Sequence, residues 1–143
     1  MLTITKIFRF EMAHAIHSHS GACKHVHGHS YELHVTVSAA LPGNDYIPVP
    51  GFIIDFKELK KIVQSAVIEK LDHRLVLSNN YLQEQPGISA QENLFILDAE
   101  PTAENLLIFI AQELEKEFRG KIKLDKLTLC ETRDSYAVWH RSS

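Results

Sequence analysis

Two stretches near the N-terminus alternate between apolar and polar side chains. One parity of residues 2–12 is apolar except for Lys6, with Leu2, Ile4, Phe8, Phe10 and Met12, and a second alternation covers residues 27–38. A period of two residues is that of a strand with one packed and one solvated face. A chain that opens on two such strands needs a second layer to cover their apolar faces.

Two later segments supply that layer, because their apolar residues recur at the three- and four-residue spacing of a helix. Asp55 is a helix N-cap, with Glu58 at the capping-box position, so we predict a first helix from Asp55 to about Leu71. A second helix is predicted from the N-cap Thr102 to Gly120. Both helices can pack on one face of the same sheet.

The remaining segments complete an α+β pattern. Two further strands are predicted, at residues 122–131 with a change of phase at Asp125, and at Tyr136–His140. Residues 15–26, 41–51 and 78–100 are predicted as loops, with a short strand an option at Leu94–Leu97. The order ββααββ predicts a single domain over residues 1–143, with a four-stranded antiparallel sheet and two helices on one face.

Composition excludes several classes of protein. The chain has 143 residues, 45% of them hydrophobic, and its 15 basic and 18 acidic residues leave a net charge of −3. This favours one compact domain over a disordered chain, and the lack of a basic block argues against a nucleic-acid partner. No apolar run suits a membrane span or a secretory signal, and two cysteines favour a reducing compartment. We expect a cytoplasmic protein with neither a nucleic-acid nor a membrane partner.

Histidines are concentrated near the first two strands. Six of the nine fall within residues 14–29, which indicates metal chemistry. His27 and His29 share a face of the second strand, and His14 continues the packed face of the first. Three imidazoles without a fourth protein ligand are typical of an open, catalytic zinc site. The others share no face and are predicted to lie in a solvated loop without metal: His17, His19 and His25.

Three further residues have acid–base chemistry. Cys23 precedes His27 by four residues, and a nearby zinc ion would favour its thiolate, although a lone loop cysteine often has no role. Asp72 can fix the tautomer of His73 and raise its basicity, provided that the backbone there is irregular. The alternative, a histidine placed against a helix C-terminal dipole, stays equally open.

A carboxylate is also predicted on the packed face of the third strand. Glu131 follows the parity of the apolar residues there, and a buried carboxylate costs several kcal/mol unless it is paired. It either pairs with Arg133 or Arg9, or it accepts two hydrogen bonds from a planar ligand such as a pterin or guanine edge. Cys130 has the opposite parity and is interpreted as structural.

Six short motifs occur in a characteristic order along the chain. They are F-x-x-A-H ending at His14, C-x-x-x-H-G-H-S-Y at residues 23–31, I-D-F at 54–56, L-D-H at 71–73, P-T-A-E-N at 101–105 and C-E-T at 130–132. In this order the chain resembles the 6-pyruvoyl tetrahydropterin synthase and 6-carboxy-5,6,7,8-tetrahydropterin synthase family.

The resemblance implies a fold, an assembly and a site. The fold would be the tunnelling fold, assembled as a homo-oligomer, usually a dimer of trimers, with active sites between subunits. The residue roles implied are zinc binding by His14, His27 and His29, catalysis by Cys23, Asp72 and His73, and pterin binding by Glu131, Thr102 and Glu104. From the sequence alone, a capped helix accounts fully for Thr102 and Glu104.

The spacing of Cys23 and His27 resembles that of the carboxy-tetrahydropterin synthases of the queuosine and deazapurine pathway. The preferred function is therefore a zinc-dependent lyase that converts 7,8-dihydroneopterin triphosphate to 6-carboxy-5,6,7,8-tetrahydropterin, acetaldehyde and triphosphate. Two alternatives stay open. One is a 6-pyruvoyl tetrahydropterin synthase that eliminates triphosphate from the same substrate, and the other is a non-catalytic zinc- or pterin-binding protein.

Overall fold

The computed structural model describes residues 1–17, 21–41, 43 and 45–143, with only the backbone of Ala22, and in it the helices lie between a first and a last pair of strands. The elements are β1 (Thr3–His14), β2 (His27–Ala39), α1 (Phe56–Val63), a π-helical segment (Gln64–Ile68), α2 (Glu69–Leu71), β3 (Arg74–Ser78), α3 (Asn79–Glu84), β4 (Leu94–Leu97), α4 (Ala103–Glu115), β5 (Ile122–Cys130) and β6 (Tyr136–His140). Short 3₁₀ turns lie at Ala22–Lys24 and Pro86–Ala90. One six-stranded sheet has the order β4-β3-β1-β2-β5-β6.

The antiparallel pair β1 and β2 forms the centre of the sheet. Its register runs from Thr3 opposite Ser38 to His14 opposite His27. The last residue of β1 therefore lies opposite the first residue of β2. The predicted alternation is confirmed, because alternate side chains pack into the core. Those that are buried on this face are Phe8, Phe10, Met12, His14, Tyr31, Leu33, Val35 and Val37.

Both predicted helices begin at their predicted N-caps. Asp55 Oδ1 accepts a hydrogen bond from Lys57 N at 2.8 Å, and Thr102 Oγ1 accepts one from Asn105 N at 3.2 Å. The first helix continues from α1 through the π-helical segment into α2 and ends at Leu71, as predicted. Its apolar stripe and that of α4 pack on the core face of the sheet.

The second helix is shorter than predicted. α4 ends at Glu115, and Gly120 lies beyond it with a φ of +69°, a conformation that glycine adopts without strain. Phe118 still packs against the core although it lies past the last helical turn, which explains why the apolar stripe overestimated the helix length. Within the described ranges, no helix has the length and apolar character required to cross a membrane.

The sheet is larger than predicted and is mixed rather than antiparallel. β3 pairs in parallel with β1, and β4 pairs in parallel with β3, so the predicted four-stranded sheet and the order ββααββ are wrong. Val76 packs in the main core, while Leu75 and Leu77 pack in a second cluster on the other face with Ala15. A strand buried on both faces shows no alternation, which is why periodicity did not reveal β3.

Residues 78–100 are also more ordered than the predicted loop. α3 begins at Ser78, whose Oγ accepts a hydrogen bond from Tyr81 N at 3.1 Å, and β4 occupies Leu94–Leu97, the segment where a strand was an option. Tyr81 and Leu82 of α3 cover the second apolar cluster. The part of the sheet around β3 and β4 therefore has a small layer on the face opposite α1 and α4.

The predicted change of phase in β5 is confirmed as a β-bulge. Thr36 lies opposite Lys126, but Val37 lies opposite Leu124, so Asp125 is the extra residue. Leu124 and Leu127 differ by an odd number of positions and are nevertheless both buried. The bulge brings both leucines to the core face, because one extra residue of β5 lies between the two parts of the strand that pair with β2.

Truncating a side chain of the second cluster tests whether β3 is buried on both faces. Leu77→Ala removes a fully buried side chain and is expected to lower the free energy of unfolding by about 2–5 kcal/mol. Ile108→Ala, on the exposed face of α4, is the control and is expected to change it by less than about 0.5 kcal/mol. Denaturant unfolding at one protein concentration measures both variants. Equal effects would contradict the burial of β3.

Candidate metal centre

Four potential metal ligands converge where β1 ends and β2 begins. His14, His27 and His29 lie on the core face of these strands, and Glu131 follows β5. One ligand atom from each residue lies within 4.8 Å of the others. The three imidazole rings are 4.6–5.3 Å apart, centre to centre, and His14 is only 2% exposed.

The strand register explains this convergence. His14 and His27 are opposite each other in the last pair of the β1–β2 ladder, and His29 is one step further along the same face. β5 pairs with β2 up to Cys130 opposite Glu32, so the next residue, Glu131, reaches the same face. The sheet therefore brings together residues that are more than a hundred positions apart.

Backbone carbonyls orient two of the imidazoles. His14 Nδ1 lies 2.7 Å from Pro101 O, and His27 Nδ1 lies 2.7 Å from His25 O. Because a carbonyl oxygen only accepts, each Nδ1 carries the ring hydrogen and donates it, which leaves the Nε2 lone pair available in a neutral ring. Both rings are thus held in the tautomer of a metal ligand.

The two Nε2 atoms face each other at 3.1 Å. Since both ring hydrogens are on Nδ1, this contact brings two lone pairs together and is unfavourable in neutral rings unless a cation is shared between them. Two ligands of one tetrahedral ion, each about 2.0–2.1 Å from it, are about 3.3–3.4 Å apart. The observed separation therefore fits two ligands of one metal ion.

The third imidazole supports the same interpretation. His29 Nε2 lies 2.9 Å from Glu131 Oε1, but the contact does not have the angle of a hydrogen bond. Among the described residues, this buried nitrogen has no hydrogen-bond partner. A metal ion would satisfy this nitrogen. The residues present at this site thus fit a divalent metal ion held by three nitrogen donors, with one carboxylate beside them.

Burial keeps His14 in the form that binds metal. Loss of solvent lowers the pKa of His14 below its ordinary value, although the Pro101 hydrogen bond and the Glu131 charge partly oppose this. The imidazole is therefore neutral at neutral pH, and a neutral imidazole is the form that coordinates a metal ion.

Tyr31 is a residue of this site that sequence analysis missed. Its ring packs edge-on against His29 and His14 and stacks on Phe10. Burial, and then the Glu131 carboxylate, raise the pKa of Tyr31, so the phenol stays protonated. Its buried hydroxyl has no hydrogen-bond partner among the described residues, which costs about 1–3 kcal/mol. The signal in the sequence is a tyrosine, with its hydroxyl group, on the packed face of the second strand, two residues after His29.

Asp72 and His73 form the predicted pair. Asp72 has an extended backbone and His73 has a φ of +61°, which supplies the irregular geometry that the pairing requires. Asp72 Oδ1 lies 2.9 Å from His73 Nδ1 and also accepts a hydrogen bond from Glu11 N at 3.0 Å. His73 is thus oriented by a carboxylate in a strained backbone conformation, an arrangement found often at functional sites.

This pair lies on the other side of the β1–β2 hairpin from the metal cluster. His73 lines a cleft of about 370 Å³, mostly with residues that face away from the core, such as Ala13 and Gly28, and the cluster residue His29 also borders it. Ala13 and Gly28 alternate with His14 and His27 along their strands. In the described part of the chain, the Asp72 carboxylate contacts Glu11 N and His73 rather than a residue of the cluster.

The remaining predicted residues are also dispersed. Cys23 is half-buried in the 3₁₀ turn, where its carbonyl accepts a hydrogen bond from Ile16 N at 2.8 Å, and its thiol is not one of the clustered ligand atoms. Thr102 acts as an N-cap, and Glu104 is exposed in the first turn of α4. The contact of this segment with the cluster is made by Pro101, through its carbonyl.

Neither predicted arginine pairs with Glu131. Arg9 Nη2 is 3.0 Å from Glu32 Oε1, and Glu131 instead lies against His29. Of the two alternatives for this carboxylate, the one that remains is the acceptance of hydrogen bonds from a planar ligand. The side chain is 27% exposed.

The three histidines that were assigned to a solvated loop differ from one another. His17 is not solvated: its Nδ1 lies 3.5 Å from Glu84 Oε2, and its backbone N–H donates to Glu100 Oε1 at 2.6 Å. Packing against α3, which was not predicted, explains the error. His25 is exposed, as predicted, and His19 lies outside the described residues.

A second group of potential ligands comprises Glu32, His34 and Cys130 on the opposite face. The Arg9 guanidinium already neutralises Glu32, and His34 Nε2 lies 2.7 Å from its other carboxylate oxygen. Burial, and then the Glu32 charge, raise the pKa of the Cys130 thiol, which disfavours the thiolate. This group is a charge network rather than a cation site.

Together, the mixed sheet and the cluster define an α+β protein with a candidate three-histidine metal centre at one end of its central strand pair. A family model described as 6-pyruvoyl tetrahydropterin synthase matches residues 3–142. The chain belongs to this family.

Individual relatives have several names. A 6-carboxy-5,6,7,8-tetrahydropterin synthase from Haemophilus influenzae is 29% identical over 143 residues, which cover 97% of this chain and 99% of the relative. A dihydroneopterin monophosphate aldolase from Pyrococcus furiosus is 30% identical over 122 residues, or 85% of this chain and 82% of the relative. The structure of Caenorhabditis elegans 6-pyruvoyl tetrahydropterin synthase has a TM-score of 0.68 at 23% identity, covering 99% of this chain and 96% of that one, so the fold is shared.

Removal of one imidazole tests the metal centre. His27→Ala is expected to weaken binding of a divalent ion by roughly a hundredfold or more, since loss of even a ligand-orienting partner costs roughly 10–100-fold. His34→Ala, on the opposite face of β2, is the control and should bind about one ion per chain, like the unaltered protein. Elemental analysis and metal titration measure both variants. Unchanged affinity in His27→Ala would contradict the assignment.

Proposed function

We propose that this chain is a zinc-dependent lyase that converts 7,8-dihydroneopterin triphosphate to 6-carboxy-5,6,7,8-tetrahydropterin, acetaldehyde and triphosphate. The observation that carries the proposal is the set of three converging imidazoles beside a carboxylate, in a member of a pterin synthase family. Relatives named 6-carboxy-5,6,7,8-tetrahydropterin synthase favour this product. The product would enter the queuosine and deazapurine pathway.

Zinc suits the donors of this site. Three neutral imidazoles with room for a fourth ligand are typical of catalytic zinc, and His14, His27 and His29 would hold the ion. When bound, zinc acidifies hydroxyl groups that coordinate it and stabilises negative charge on their oxygens. Glu131 borders the cluster and can accept two hydrogen bonds from the amino-pyrimidine edge of the pterin, which orients the ring. Thr102 and Glu104, at the start of α4, are the further pterin-binding residues in this proposal.

Three residues take part in the proposed proton transfers: His73 and Cys23 transfer protons, and Asp72 orients His73. Asp72 holds Nδ1 of His73, so Nε2 of the imidazole is available to take or give a proton at a substrate carbon. Cys23 would exchange protons at the hydroxylated side chain. Two hydrogens move within the substrate, from the side chain to the ring, and this transfer needs no external oxidant.

The bond changes balance with one water. Elimination of triphosphate and the internal hydrogen transfer leave the side chain as a pyruvoyl group, which has two adjacent carbonyls. Addition of water across the bond between these carbonyl carbons leaves a carboxylate on the ring and releases acetaldehyde. A 6-pyruvoyl tetrahydropterin synthase, the alternative favoured by the name of the family model, would stop before this cleavage.

A complete site in this proposal requires more than one copy of the chain. His73 has a side chain that is 78% exposed, and its imidazole is held by Asp72 rather than by a residue of the cluster. The edge strands β4 and β6 also expose apolar side chains, Ile96 at 50% and Tyr136 at 65%. We therefore place active sites between subunits of a homo-oligomer, a dimer of trimers, with each chain a single domain. A small-molecule substrate and two free cysteines suit the cytoplasm, with no nucleic-acid or membrane partner.

Product analysis tests the reaction. Zinc-replete protein incubated with 7,8-dihydroneopterin triphosphate is expected to release one acetaldehyde per carboxylated pterin, as measured by mass spectrometry. Cys23→Ala should retain zinc and lose most turnover. A pyruvoyl product would support the alternative synthase. Absence of turnover in protein that binds both zinc and pterin would favour a non-catalytic role.

Replacement of His73 separates catalysis from folding. His73→Asn is expected to lower kcat by roughly 10²–10⁴, because it removes the group proposed to transfer protons. Its stability should stay within about 0.5 kcal/mol, since asparagine tolerates a positive φ. His25→Asn, at an exposed loop position, is the matched control for turnover. Full activity in His73→Asn would remove this residue from the mechanism.

A further inference from the structure

The hydroxyl of Tyr31 has no role in the fold that the structure reveals. The residue is 1% exposed, and its oxygen is buried without a hydrogen-bond partner in the described part of the chain. The ring alone makes the packing contacts, by stacking on Phe10 at 5.2 Å between ring centres with an angle of 8° between planes. A phenylalanine would make the same contacts, so packing does not explain why the oxygen is present.

The position of Tyr31 connects this oxygen to the metal centre. Its ring lies 5.6 Å from that of His29 and 6.2 Å from that of His14, both edge-on. The Glu131 charge is close enough to act on the phenol. The buried oxygen therefore lies beside the cluster, on a ring that contacts two of its imidazoles and within range of the Glu131 charge.

We propose that Tyr31 donates a hydrogen bond to an oxygen of the hydroxylated side chain of the bound pterin. This inference rests on the proposed function and assigns a specificity residue to the same site. An unpartnered donor in a buried site rejects ligands that lack the matching oxygen, because binding them leaves the donor unsatisfied. Tyr31 thus favours a pterin with a hydroxylated side chain over the unsubstituted ring.

The test compares two ligands on zinc-loaded protein. 7,8-Dihydroneopterin has the hydroxylated side chain, and 7,8-dihydropterin has the same ring without it. Tyr31→Phe is expected to weaken binding of dihydroneopterin about tenfold, the usual size of one such hydrogen bond, and to leave the dissociation constant of dihydropterin unchanged. Tyr46→Phe, which removes a hydroxyl from a fully exposed side chain, is the control and should bind both ligands like the unaltered protein.

Thermal unfolding of the metal-free protein gives an independent readout. Because the hydroxyl is unpartnered in the fold, Tyr31→Phe should have an unchanged or higher Tm. A fall of several degrees would show that the oxygen has a structural partner and would overturn the inference. So would equal losses for both ligands, or no loss for either.

Failure of this inference is distinguishable from failure of the proposed function. If the unaltered protein binds neither pterin, the proposed function fails, and the role of Tyr31 fails with it. If the unaltered protein binds dihydroneopterin and Tyr31→Phe binds it equally well, only the role of Tyr31 is wrong.

Discussion

The register of β1 against β2 is the constraint on which the site depends. It pairs His14 with His27 at the last step of the ladder and places His29 one step further on the same face. A slip of one residue would turn these side chains to opposite faces, and no common ion could then be held. The packed alternation along both strands opposes such a slip, because it would also expose Phe10 if β1 moved or Leu33 if β2 moved. Core packing and metal geometry thus specify the same register.

Much of the architecture was predictable because it depends on local periodicity. The alternation of β1 and β2, the caps at Asp55 and Thr102, and the bulge at Asp125 all follow from neighbouring residues. β3 did not, because burial on both faces removes the alternation that reveals a strand. The parallel pairing of β3 with β1 is a long-range property that local spacing does not contain.

The candidate site shows a similar division. A common face for the three histidines follows from parity, but the carbonyl contacts that set the tautomers of His14 and His27 come from tertiary structure. The pairing of Asp72 with His73 depends on a positive φ at a non-glycine residue, which spacing left undecided. Tyr31 was missed because a tyrosine on the packed face of a strand is expected to be a core residue. Only the oxygen without a hydrogen-bond partner in the described residues distinguishes it from an ordinary core side chain.

The two faces of the β1–β2 hairpin differ in chemistry. The core face holds the imidazole cluster under the start of α4, and the opposite face leads to the exposed imidazole of His73. An enzyme that needs both groups at one substrate is incomplete as a single chain. In the proposed function, association of chains would therefore complete the site as well as cover exposed strand edges.

X-ray absorption at the zinc edge tests the metal centre most directly, because it reports the ligand atoms without a crystal. Zinc-loaded protein is expected to show imidazole nitrogens at about 2.0–2.1 Å, with outer-shell scattering for about three rings and the rest of the shell oxygen. A sulfur ligand at about 2.3 Å, or scattering for fewer than two imidazoles, would contradict the assignment of His14, His27 and His29.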